Sequence, residues 1–244
     1  MIPNLAVFLL LLLPCIAQQK STPTVIAFNP ADYPIGKFQI TRKEVPYGEV
    51  VIRVIQVKNL GYTMEPDMCR AWLEVSKGER LLKRFYYPDI NPVGGGFGIF
   101  LPKQQPMDDY FAAVKDGDYD GRLLLVRKDG ETQDLPGGFF FLTADRRFLV
   151  SEYSSDLYAV TVFDLKENRK VLESSDLPEI GSWYEDESGY FFREYGKPGH
   201  AERLDLERGK FLKIHVTPAD ISKSHKVRYD FDLRKKRDCT SEPQ

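Results

Sequence analysis

The sequence predicts an all-β protein, a small propeller-like array of about four four-stranded units. Three observations predict it. Short runs rich in β-branched and aromatic residues succeed one another from Glu49 onward. Gly- and Asn-bearing turns separate them, among them Asp129-Gly130, Glu167-Asn168 and Arg208-Gly209. The runs also recur at a fixed spacing. Glu152-Tyr153 returns as Glu194-Tyr195, an offset of 42, and Asp164-Leu165 returns as Asp205-Leu206, an offset of 41. Lys170-Val171-Leu172 returns as Lys210-Phe211-Leu212, an offset of 40.

The elements follow in chain order. Residues 1–17 carry an export signal. Leu5–Leu13 is a continuous apolar run that Pro14 ends, and the compact residues Cys15 and Ala17 precede Gln18. Nine helical residues span about 14 Å, short of the roughly 30 Å of a bilayer core. Cleavage is expected between Ala17 and Gln18, which places the mature chain in a periplasmic, extracellular or cell-surface setting. Lipidation of Cys15 is the alternative mode of attachment. No later run approaches the ~20 apolar residues that span a membrane.

Residues 18–48, with Pro23, Pro30, Pro34 and Pro46, read as an extended lead-in with a strand at Lys37–Thr41. Residues 49–233 read as one repeat domain, and residues 234–244 as a polar tail. Strands are expected at 49–57, 69–75, 81–87, 110–114, 122–126, 139–143, 147–153, 158–165, 189–195 and 210–216. Thr217–Ser224 alone reads as helical. A strand at Val227–Leu233 is expected to complete the first unit.

A repeat of 40–45 residues holding four short strands is the blade signature of a propeller. Val162-Phe163-Asp164-Leu165 and Arg203-Leu204-Asp205-Leu206, each followed by a polar turn, carry the likeness. The chain thus resembles WD40-like and related β-propeller repeats over residues 95–216, without their Gly-His and Trp-Asp dipeptides. One such sheet cannot bury both faces alone, so neighbours must stack. A β-sandwich of double hairpins is the alternative architecture.

Composition narrows function. A net charge of −2 and a pI near 6 give no global attraction to nucleic acid or to anionic membranes. After cleavage two cysteines remain, Cys69 and Cys239, a pair that suggests one disulfide in an oxidising compartment. Asp116-Gly117-Asp118-Tyr119-Asp120-Gly121 spaces three carboxylates around a tight loop, as a hard cation such as calcium requires. Position twelve of that pattern is Arg127 and not Glu, so the expected affinity is weak and a polar hairpin turn is the preferred reading of these residues. No other cofactor is expected.

Gly94-Gly95-Gly96-Phe97-Gly98 lacks phosphate-loop spacing. His200, His215 and His225 share no metal-ligand spacing. No nucleophile elbow is present. Dense aromatics, including Phe139–Phe141, Trp183-Tyr184 and Phe191-Phe192, are expected in the core. The sequence therefore reads as an exported, non-catalytic binder of a protein, glycan or envelope component. A hydrolase using loop carboxylates is the alternative.

Overall fold

Period-two alternation decides which face each side chain takes, and here it decides which sheet touches which. The structure is a computed structural model and describes residues 26–60, 69–87, 98–102, 104–116, 121–154 and 158–232. These residues form four antiparallel sheets. The first holds β1 (Phe38–Tyr47), β2 (Val50–Asn59), β3 (Cys69–Lys77) and β4 (Arg80–Tyr87). The second holds β5 (Gly98–Phe100), β6 (Tyr110–Asp116), β7 (Arg122–Arg127) and β8 (Thr132–Pro136). The third holds β9 (Phe139–Leu142), β10 (Phe148–Ser154), β11 (Tyr158–Asp164) and β12 (Arg169–Leu177). The fourth holds β13 (Ile180–Asp186), β14 (Gly189–Glu194), β15 (His200–Asp205) and β16 (Lys210–His215).

The all-β, propeller-like array of four units is thus as the sequence reads, with stacked sheets and not the two faces of a sandwich. The 40–42-residue offsets map onto it strand for strand. Glu152 and Glu194 lie in the second strands of their sheets, Asp164 and Asp205 end the third strands, and Leu172 and Leu212 lie in the fourth.

The middle sheets are buried on both faces, which is why their strands read as unbroken apolar runs. In β7, Leu124 and Val126 pack toward the first sheet with Phe111, Ile52 and Leu73. Leu123 and Leu125 pack the other way, with Phe140, Leu149 and Phe163. Phe140 faces the second sheet, and its neighbour Phe141 faces the fourth with Val150, Trp183 and Phe192. Each such fully buried side chain contributes about 1.5–3 kcal/mol.

The two end sheets need covers. The lead-in supplies the first: Phe28 and Tyr33 pack on Trp72, and Trp72 Nε1 donates to Ile26 O at 2.9 Å. The last helix, α1 (Pro218–Lys223), supplies the other, laying Ile221 beside Val216, Ala201 and Phe191. A capping box starts α1. Thr217 accepts from the Asp220 backbone, and Asp220 accepts from the Thr217 backbone. Stacked repeats need such terminal caps to end their cores. Among the described residues, no apolar cluster joins the first sheet to the fourth.

Contrary to the expectation for Val227–Leu233, the chain after α1 does not complete the first unit. It crosses the first-strand edges of the fourth and third sheets instead. β17 (His225–Lys226) pairs with β13, and β18 (Phe231–Asp232) pairs with β9. The reason is proximity and packing: α1 leaves the chain beside the fourth sheet, and Phe231 stacks on Phe140 at 5.9 Å. Asp230 adds a backbone bond to Phe140 O, and its carboxylate accepts from Leu142 N at 2.8 Å. This strap ties two sheets together along edges that would otherwise be open.

Candidate functional site

The buried carboxylates are the first place to look for chemistry, and most are committed to holding the fold. Glu74 accepts from Arg84 Nε at 2.7 Å and from Arg53 Nη1 at 3.3 Å. Asp164 lies at the β11–β12 turn. Burial alone would raise its carboxyl, but hydrogen bonds from Arg147 and from the Glu167 and Lys166 backbones outweigh burial and hold it below the usual carboxylate range. Asp186 takes both arms of Arg203, at 2.7 Å each, and that guanidinium holds its carboxyl low. Glu152 accepts from Trp183 Nε1 at 3.0 Å and from the Tyr229 hydroxyl of the strap.

Glu202 differs. It is 5% exposed, and burial pushes its carboxyl above the usual range, with Lys213 opposing and Glu194 adding to the shift. It does not pair with Glu152. The register runs Trp183–Phe192–Glu202 across three strands, so two aromatic residues stand between them. A glycosidase-type acid/base pair needs two carboxyls facing one cleft. The cleft of about 540 Å³ under the strap includes Glu152 and Asp232 but not Glu202.

A second region is built differently. Hairpin turns at one end of the array need residues with positive φ. At the turns between third and fourth strands these are Gly78 (φ +57), Gly130 (φ +99), Asn168 (φ +50) and Gly209 (φ +58). At those between first and second strands they include Gly48 (φ +61), Arg146 (φ +56) and Gly189 (φ +105). Among the described residues, Arg146 and Asn168 are the positive-φ positions not held by glycine. Both belong to the third sheet. A left-handed conformation costs a residue such as Arg about 1–2 kcal/mol, and Asn less.

Both side chains reach the same place. Asn168 Oδ1 and Leu165 O each lie 3.0 Å from the Tyr110 hydroxyl, which supplies the shared proton. Burial pushes the Tyr110 phenol upward, so it stays a donor at neutral pH. Arg146 donates to Pro106 O in the loop leading to β6. Between the second and third sheets they frame a groove of two adjoining clefts, about 320 and 440 Å³. Asp109, Tyr110, Leu165 and Lys166 line both. The turn signal at Glu167-Asn168 was legible in the sequence. The matching signal at Arg146 was not, because nothing local marks an arginine as left-handed.

The residues singled out from sequence do not gather here. Asp116 ends β6, whereas Asp118 and Asp120 lie outside the described residues. Cys69 opens β3, and Cys239 lies outside the described residues, as do Cys15, Ala17 and Gln18. His200 and His215 are cross-strand partners, and His225 sits in β17 opposite Glu185. Among the described residues, no group of three or more His, Cys, Asp or Glu could hold a metal ion. No helix among them is long and apolar enough to cross a membrane. Of the aromatics read as core, Phe139, Phe140, Phe141, Trp183, Phe191 and Phe192 are buried, whereas Tyr184 is only partly buried.

No family model and no curated protein matches the chain. Seven chains of known structure do. One is a crystal structure from Bacteroides fragilis provisionally called a 6-phosphogluconolactonase. It is 12% identical at a TM-score of 0.33, over 81% of this chain and 82% of that one.

Proposed function

We propose that this is an exported, non-catalytic β-repeat protein that binds a protein, glycan or envelope component through the groove between its second and third sheets. One observation carries the choice of groove. Among the described residues, the third sheet alone keeps side chains at both left-handed turn positions, and both are spent on this groove. Backbone strain of that kind is retained where a side chain has a task. The buried carboxylates favour binding over hydrolysis, because Glu74, Asp164 and Glu152 are occupied by fixed donors. Export rests on the apolar run Leu5–Leu13 and the Ala17-Gln18 junction.

The test is affinity capture. The mature chain from Gln18 onward serves as bait for an envelope extract, followed by chemical cross-linking and peptide mapping. The expected result is a saturable partner whose cross-links fall in residues 104–110, 143–147 or 165–168. Cross-links confined to other surfaces would overturn the placement. Turnover of a glycoside or ester that Glu152→Gln abolishes would favour the hydrolase reading instead.

A further inference from the structure

We infer that the groove takes a small organic anion, a carboxylate- or phosphate-bearing ligand, with Arg146, Arg147 and Lys166 as its cationic wall. The inference rests on the groove being the binding site proposed above, and names its ligand chemistry.

The charge pattern carries it. Arg147 uses one edge of its guanidinium on Asp164, at 2.8 and 3.1 Å, and lies over the Phe148 ring at 4.8 Å. Its side chain is still 46% exposed, and Arg147 lines the first cleft. Asp164 is 1% exposed and also accepts from two backbone N–H groups, so it is enclosed with its donors. Arg146 binds Pro106 O through one terminal nitrogen, which leaves donors of its five for a ligand. Lys166 is exposed at the turn between the two clefts.

The neighbouring carboxylates are in part offset already. Asp109 pairs with Lys128 at 3.1 Å. Asp145 accepts from Thr143 Oγ1 at 2.6 Å and from Arg147 N at 3.1 Å, folded into its own turn. Glu49 and Asp129 of the second cleft pair with Lys77 and Arg127. Asp164 offsets the charge of Arg147, so Asp108 stands against Arg146 and Lys166, with Arg147 contributing donors more than net charge. The floor is apolar: Met107, Leu142 and Leu165 line the same cleft. A cleft of about 320 Å³ with an apolar floor and a few convergent charged donors is the size and make-up of a small-molecule site. Guanidinium groups suit carboxylate and phosphate oxygens because their donors match the fork of the anion.

Why arginine stands at a glycine position then has an answer. Arg146→Gly would give the backbone the residue its φ of +56 favours. It would also remove a guanidinium from the groove wall. That makes it a clean test, since the fold should tolerate it.

The experiment titrates the mature chain with three probes: D-glucuronate, inorganic phosphate and, as a neutral control, D-glucose. Chemical shifts of the backbone amides near 106–110 and 143–168 are followed at low salt. Binding of glucuronate or of phosphate is expected, with no response to glucose, and the tighter of the two identifies a carboxylated or a phosphorylated ligand. Arg146→Gly and Lys166→Gln are each expected to weaken it at least tenfold with the thermal midpoint held. Absence of any response to both anions overturns the inference, as does unchanged affinity in both variants. If anions fail to bind while partner capture still maps to the groove, the ligand chemistry is wrong and the binding reading stands. If capture maps elsewhere, the reading beneath it falls.

Discussion

At the scale of single residues, the same carboxylate chemistry has opposite consequences depending on who donates to it. Asp164 and Asp186 sit against arginines and backbone N–H groups, and both are held ionised. Glu202 sits against Phe192 with only Lys213 to favour its charge, and burial prevails. The sign for stability follows. The folded Glu202 carboxyl holds its proton to a higher pH than the unfolded chain does. Stability therefore falls as pH rises from about 4.3 through the folded value, and stays reduced above it. Glu202→Gln removes that penalty. Urea denaturation at pH 7 should show the variant more stable by an amount on the order of 1 kcal/mol, the scale of a modest change in a carboxyl's affinity for its proton. The gain should shrink below about pH 4, where both chains are neutral at this position. Equal or lower stability at pH 7 would show that Glu202 is not a cost.

At the scale of elements, the strap is the feature with the largest consequence. β17 and β18 are two residues each, too short to hold by ladder bonds alone. Phe231, 4% exposed and stacked on Phe140, anchors the strap. Phe231→Ala should cost about 3–5 kcal/mol, the usual loss for a buried phenylalanine. Hydrogen exchange should show protection lost first along β9 and β13. A loss under about 1 kcal/mol would mean that the strap is dispensable.

Much of this scale was legible in the sequence. Runs such as Leu123–Val126 and Phe139–Phe141 read as strands because both of their faces are buried. The capped helix read correctly because Thr217, Pro218 and Asp220 state their own geometry. β5, β8 and β13 were not singled out as runs, and β12 and β15 were read only as the repeat segments 170–172 and 203–206. Thr132–Pro136 carries Asp134 and a proline at an outer edge, and Ile180–Asp186 mixes polar residues with Trp183 and Tyr184. The strand at 231–232 could be read, but not its partner, because which sheet edge is open is a property of the whole topology. The groove was hidden for a similar reason. It depends on which turn residue takes positive φ, and on contacts between loops 40 or more residues apart in sequence.

At the scale of the whole molecule, the four sheets form an array with distinct ends. The lead-in covers one outer face and α1 the other, so the apolar stack ends in two unlike caps. The edges of β9 and β13 are covered by the strap. What this arrangement leaves accessible at the turn end is the groove between the second and third sheets, with its two side-chained left-handed turns. The central claim is that those turns are kept for binding and not for stability. It is tested most directly by comparing the mature chain with the double variant Arg146→Gly/Lys166→Gln as baits for the same envelope extract. The strain removed at position 146, about 1–2 kcal/mol, roughly offsets the lost bond to Pro106 and the added freedom of glycine. Thermal midpoints within a few degrees of each other and loss of partner capture by the variant are expected. Undiminished capture by a folded double variant would contradict it.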